Sequence, residues 1–371
     1  MAGIYVHVPF CKQACIYCNF YFSTSLANKQ KYIGALLREI ELSKDYLGGD
    51  KIETIYLGGG TPSLLSKNEI REIVSKLSKQ YDLSNLKEFT IEANPDDLTK
   101  EKIRDFKELK EVGFNRFSIG VQSFFDDDLQ YMGRAHNADE ALASIKRVQD
   151  AGFENMTIDL IYGTPTMNDE KWRGNLEAAF ALDVPHISSY ALTVESKTTL
   201  DKKIRKGELT PVDEEQSANQ FKILMSEMKK AGYEQYEISN FAKPGKYAVH
   251  NTNYWFGKKY LGLGSSAHSF NGVGRRWNVA NNVNYINEID KGNIPYEEEI
   301  LTDAQKVNEK IMTSLRTMWG LNIADCGLQI ADLKNSLQEI DGSLYVLNDG
   351  IMRLTEEGRL FADKIAANLF I

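Results

Sequence analysis

Six short runs rich in β-branched and aromatic residues recur at positions 3–8, 53–57, 88–93, 116–121, 155–162 and 186–192. Each is separated from the next by enough residues for a helix, so the chain reads as a βα series and the fold class as α/β. The intervening segments carry helical periodicity: Ile70, Ile73, Val74 and Leu77 share one face, as do Leu142, Ile145 and Val148. A small unit is reused at Val112-Gly113-Phe114, Ala151-Gly152-Phe153 and Ala231-Gly232-Tyr233, where Gly supplies a left-handed helix cap and an aromatic opens the next strand. Six units are too few for the usual eight-stranded barrel but enough for an open one. The expectation is a partial (β/α)6 TIM-like barrel over residues 1–240, with a doubly wound open sheet as the rival.

From about residue 241 the sequence turns Gly-, Asn- and aromatic-rich without a helical period, which predicts a loop-rich connector over 241–300. Residues 301–371 turn helical again. They continue through Leu344-Tyr345-Val346-Leu347, a turn at Asn348-Asp349-Gly350 and a last helix after Leu354, a pattern expected of a small helical, winged-helix-like domain. With 44 basic against 52 acidic residues and no dense run of Lys or Arg, a nucleic-acid partner is not expected. No segment approaches the roughly 18 apolar residues of a membrane span, and a cytoplasmic protein is expected. The chain has only four cysteines, three of them between positions 11 and 18 and one at Cys326, which is not the layout of a disulfide framework.

The spacing Cys11-x3-Cys15-x2-Cys18 lets three thiolates hold three corners of a cubane iron–sulfur cluster from one loop. The fourth iron is then free for a small chelating molecule, and S-adenosylmethionine (SAM) can bind one through its amino and carboxylate groups. The residues leave open a zinc site with His7 as fourth ligand, or three unrelated thiols. Leu57-Gly58-Gly59-Gly60-Thr61-Pro62 ends a predicted strand, where residues without Cβ let backbone approach a ligand. Glu92, Gln122 and Asp159 lie at or near the ends of the third, fourth and fifth strands, and such residues converge on one mouth of a parallel barrel. Arg134 follows the fourth strand and has the fork that suits a carboxylate. Taken singly, each of these polar residues reads equally well as a structural hydrogen-bond partner.

Tyr5-Val6-His7-Val8-Pro9-Phe10-Cys11 followed by Cys15-Ile16-Tyr17-Cys18 resembles the radical SAM family. The resemblance is greatest to the HemN/HemW branch, which holds oxygen-independent coproporphyrinogen III dehydrogenases and related heme chaperones. It implies a [4Fe–4S] cluster on Cys11, Cys15 and Cys18 and SAM at the open iron. It also implies SAM contacts from Tyr5 and Tyr17, from Gly59, Gly60 and Thr61 on the amino group, from Glu92 on the methionine portion, from Gln122 and Asp159 on the ribose, and from Arg134 on the carboxylate.

The dehydrogenases have a further cysteine two positions after the third cluster cysteine, where this chain has Asn19-Phe20, and an extension ahead of the cluster loop where ten residues precede Cys11. Both departures point away from decarboxylation, which depends on holding a propionate in radical range. His250-Asn251-Thr252-Asn253-Tyr254-Trp255 resembles the His-Asn-x-x-Tyr-Trp motif of the chaperones. His250, Asn251, Tyr254 and Trp255 are therefore the heme candidates, since imidazole ligates iron and aromatic rings offer flat apolar surface. His268 is a second candidate, His136 falls near Arg134, and His186 and Cys326 read as structural. The expected function is a heme chaperone handing heme to an acceptor protein such as a respiratory one, leaning away from enzyme activity. The alternative is a radical SAM oxidoreductase acting on coproporphyrinogen III or another porphyrin-like substrate.

Overall fold

A computed structural model describes the backbone of residues 1–371 and the side chains of all but 328–332 and 334. All six expected strands form: β1 (Ala2–Val8), β2 (Ile52–Gly59), β3 (Glu88–Ala93), β4 (Arg116–Gln122), β5 (Met156–Tyr162) and β6 (His186–Ala191). On one face lie Ile4, Val6, Ile55, Leu57, Phe89, Ile91, Phe117, Ile119, Ile158, Leu160 and Ile187, all buried. The alternate positions hold Thr54, Glu88, Glu92, Arg116, Ser118, Thr157, Asp159, His186 and Ser188. A two-residue period of this kind sends apolar side chains to the covering helices and polar ones to the interior.

Hydrogen-bonded neighbours follow chain order from β1 to β6, and every pair is parallel. A doubly wound sheet reverses its order at a switch point; none occurs here, so the helices stay on one side and the sheet is a partial barrel. Those helices are α1 (Lys29–Leu42), α2 (Lys67–Gln80), α3 (Lys100–Glu108), α4 (Asp126–Met132), α5 (Ala138–Asp150) and α6 (Asp169–Ala181). In α2 the predicted face is the buried one, and Ser66 with Glu69 closes a capping box at its start. Such a cap stabilises a helix by about 1 kcal/mol. Helices α7 (Thr199–Arg205) and α8 (Glu214–Lys230) complete this part.

Residues 241–300 differ from the expected loop-rich connector, because they extend the sheet on both sides. After β7 (Glu234–Glu237), β8 (Asn240–Ala242) pairs antiparallel with β6. Then α9 (Val249–Trp255) leads to β9 (Tyr260–Leu263), which lies parallel beside β1. Antiparallel β10 (His268–Phe270), β11 (Gly274–Asn278) and, after α10 (Asn282–Asp290), β12 (Tyr296–Ile300) continue that edge. Strands of three to five residues and a helix of seven are too short to show a periodicity, so they read as loop. Helix α9 thus connects the strand beside β6 to the strand beside β1. Its first amides, of Val249 and His250, donate to the Glu88 carboxylate at 2.8 and 2.9 Å.

The C-terminal part has its own core of Ile311, Leu315, Leu321, Met352, Leu354, Ile365 and Leu369. It joins α11 (Asp303–Leu315), α12 (Ile330–Leu337) and α13 (Ala362–Asn368) to a three-stranded sheet of β13 (Leu321–Asn322), β15 (Ile351–Leu354) and β14 (Tyr345–Asn348). Asp349 and Gly350 both take positive φ, as a two-residue hairpin turn demands. Among the described residues no helix is long and apolar enough to cross a membrane.

Candidate functional site

A cavity of about 460 Å³ opens at the carboxyl ends of the barrel strands. Its wall includes Cys11, Cys15, Cys18, Tyr17, Gly59, Gly60, Thr61, Glu92, Gln122, Arg134 and Asp159, eleven positions drawn from the ends of β2 to β5, the loop after β1 and the segment after α4. The three thiols are free and half-buried. Their loop is pinned to the barrel by Cys11 N–H on Ser23 O (3.0 Å), Ser23 N–H on Pro9 O (2.8 Å), Ile16 N–H on Met132 O (3.2 Å) and Leu200 N–H on Ile16 O (2.8 Å).

Burial pushes the Cys11 thiol up to about 11, with a hydrogen bond to Thr61 pulling the other way, and it raises Cys18 as well. Thiolates so recessed need a cation to hold their charge, which iron would supply. Arg134 donates to Cys15 Sγ at 3.2 Å and to Asn94 Oδ1 and Gly120 O at 2.8 Å each, while its Nε is buried without a partner among the described residues. An orphaned guanidinium donor on the wall fits an anionic ligand group. The donor set thus fits a cluster with a chelating co-ligand. His7 does not join it: Nδ1 meets the Tyr5 hydroxyl at 3.0 Å and Nε2 meets Tyr21 O at 2.9 Å. No three His, Cys, Asp or Glu among the described residues converge tightly enough for a single metal ion.

The glycines at the end of β2 serve close packing. A Cβ on Gly60 would lie 2.7 Å from Phe10 O and 2.8 Å from Val8 O, and one on Gly59, at φ +107°, would lie 2.5 Å from the His7 ring. Only glycine lets the cluster loop cross here. Gly59 N–H donates to Glu92 Oε2 at 3.0 Å, and the Tyr56 hydroxyl donates to Oε1 at 2.7 Å. Burial outweighs these bonds and lifts Glu92 to about 7, with Asp159 also raising it. Burial likewise lifts Asp159 to about 6, opposed by Ser188, Arg116 and Arg134. Two recessed carboxyls short of positive charge suit a cationic or hydroxyl-bearing ligand. Gln122 ends β4 with φ 67°, a left-handed conformation that costs a non-glycine residue about 1–3 kcal/mol and concentrates at ligand sites.

Five sequence candidates lie off the wall, His268 on β10 among them. Tyr5 stands behind Tyr56, with ring centroids 6.1 Å apart. His250 is 2% exposed, its Nδ1 on Thr54 Oγ1 at 2.8 Å and its Nε2 on the Tyr254 hydroxyl at 2.7 Å. Its ring stacks on Tyr56 at 5.0 Å, and burial, then the Arg116 charge, lowers its pKa to about 3. Tyr254 packs on Tyr260 at 4.5 Å, and Trp255 lies under the Arg316 guanidinium. Of the α9 motif only Asn251 reaches the cavity. His136 is buried, held by Val121 O at 2.9 Å; His186 is tied at both nitrogens to Thr157 and Tyr236; Cys326 sits in the C-terminal core. The sequence reading missed Tyr56, Asn94, Ser118 and Tyr190 on the wall. Tyr56, Ser118 and Tyr190 share the inward period of Glu92 and Asp159, so that alternation was the available signal.

Residues 5–179 match the family model described as "Radical SAM superfamily". The chain is similar to the "Heme chaperone HemW" of Bacillus subtilis, with 38% identity over 87% of this chain and 85% of the relative. It is 33% identical to the protein of the same name from Mycobacterium tuberculosis, over 99% of this chain and 94% of the relative. A solved structure titled "Coproporphyrinogen III oxidase (HemN) from Escherichia coli is a Radical SAM enzyme" superposes with a TM-score of 0.85 at 22% identity, covering 100% of this chain and 90% of that one. That last likeness is one of fold.

Proposed function

This chain belongs to the radical SAM superfamily and, within it, to the HemW family, and from that premise we propose that it is a cytoplasmic heme chaperone that binds heme and passes it to an acceptor protein. The observation that carries the reading is the likeness, over most of the chain, to relatives named heme chaperones. The cavity supports its cofactor half, because the thiols and the polar strand ends meet on one wall. Cys11, Cys15 and Cys18 would hold a [4Fe–4S] cluster, and SAM would exchange at the remaining iron. When bound, that pair supplies one-electron cleavage of a carbon–sulfur bond.

The chain's own groups account for binding and orientation. Arg134 offers its unpartnered Nε to a carboxylate, Glu92 offers a carboxylate to an ammonium, and Asp159 and Gln122 offer acceptors and donors to a ribose. Tyr17 and the Gly59-Gly60-Thr61 strand end frame the remaining wall. In the α9 motif Asn251 faces this cavity, whereas His250 would have to release Thr54 or Tyr254 to coordinate iron.

Anaerobic reconstitution followed by parallel titration with hemin, SAM and coproporphyrinogen tests the proposal. The expected result is stoichiometric hemin uptake, transfer to an apo-hemoprotein, and a cluster EPR signal altered by SAM. Formation of 5′-deoxyadenosine and carbon dioxide from coproporphyrinogen without hemin uptake would establish the oxidoreductase alternative instead.

A further inference from the structure

An iron ligand open to solvent can bind and release a cargo without rearrangement of the chain. The chain has five histidines. Four of them, His7, His136, His186 and His250, are buried, and each is hydrogen-bonded through at least one ring nitrogen. His268 differs: it is exposed, and its imidazole has no hydrogen-bond partner among the described residues.

Its surroundings belong to the outer extension of the sheet, away from the cavity wall. On β10 and β11 the cross-strand pairs His268–Trp277 and Phe270–Arg275 point to one face, because paired residues and those two positions along share a side. The imidazole lies alongside the Trp277 indole, 26° between planes and 6.1 Å between centroids. Phe270 pairs with Tyr260 across the strands, 6.4 Å between rings, so three half-buried aromatic residues share this face with the imidazole. The strand is held close to β9, where a Cβ on Gly262 would lie 2.0 Å from His268 O. The charged groups on this face are Arg275, gripped in a fork by Glu309 at 2.8 and 2.9 Å, and Glu297 and Glu299 paired opposite Trp277 and Arg275. Partial burial and the Arg275 charge lower the His268 pKa from its ordinary 6.5, leaving the ring neutral as ligation requires.

We propose that His268 is the axial ligand by which this chain takes an iron porphyrin, with the ring system resting against the aromatic face of β9–β11. The inference rests on the heme-carrying reading and deepens it. Because Glu309 already holds the one cation of this face, attraction comes from the iron–nitrogen bond and apolar contact. Release breaks a single coordinate bond at the surface.

The test is hemin titration of the reconstituted full chain, followed at the Soret band, in parallel with metal-free protoporphyrin IX. His268→Ala is expected to weaken hemin binding by about tenfold or more, the effect of losing one coordinate bond, while protoporphyrin affinity stays level. His268→Cys is expected to restore uptake with the spectrum of a thiolate-ligated iron, a signature that no purely structural role would produce. If His268→Ala does not fold, the His268→Cys spectrum decides alone. A wild-type Soret position and affinity in both variants would overturn the assignment and leave the chaperone reading standing. A wild-type chain that takes up no hemin would overturn both.

Discussion

Glu92 shows how one residue's environment sets a measurable pH dependence. Its proton is retained in the folded chain to about pH 7, against an ordinary value of 4.5. The raised value means that its contribution to folding is fully present below about 4.5 and is lost as pH rises through about 7. Ligand binding runs the opposite way, since an ammonium is attracted only by the ionised carboxylate. SAM affinity of the reconstituted protein is therefore expected to strengthen as pH rises through about 7, and Glu92→Gln to flatten that profile, both measured by equilibrium binding. Gln122 gives a second check. Replacing it by glycine relieves the left-handed strain at φ 67°, so the melting temperature should hold or rise by the equivalent of about 1 kcal/mol while SAM binding weakens. The polarity of Glu92 and Asp159 on inward strand positions was legible in the sequence. Their raised pKa values were not, because they depend on how many walls exclude water.

At the scale of elements, the end of β2 and the cluster loop form one unit. A methyl group on Gly60 would collide with Phe10 and Val8 backbone, which no rotamer change can relieve. Gly60→Ala is expected to destabilise the chain by roughly 1–3 kcal/mol and to lower the iron retained after anaerobic reconstitution, measured as iron and sulfide per chain. The glycine run was visible as a motif, and the resemblance implied contact with an amino group. The structure adds a packing reason that needs the loop's return path to be seen. Helix α9 makes a similar point from the other side. Its motif drew attention to His250, yet Thr54 and Tyr254 take both imidazole nitrogens and Glu88 takes the first amides, leaving Asn251 as the member on the cavity. Tyr254 lies within the motif, but Thr54 and Glu88 are some 160 to 200 positions away, and no local pattern records them.

For the whole molecule, the contact between barrel and C-terminal part turns on one buried carboxylate. Glu237 is 1% exposed and receives Arg316 at 3.1 Å, while Arg316 also reaches Asp363 at 2.7 Å. Backbone bonds from Ile238 to Arg316 O and from Met318 to Tyr236 O, 3.0 Å each, run beside it. Arg316→Ala removes the cation from a buried carboxylate that keeps only the Ser239 amide and the Asn240 side chain, and is expected to cost about 3 kcal/mol, read as a lower denaturation midpoint and earlier proteolysis between the two parts. The amino-acid sequence by itself determined the βα order, the helix faces, the three-thiol loop and the family, because short-range periodicity and spacing encode them. The tertiary structure alone decided that residues 241–300 widen the sheet on both edges, and that four histidines are locked inside while His268 stands open. Strands of three to five residues carry too little pattern to announce themselves, and exposure is a property of what the rest of the chain folds against.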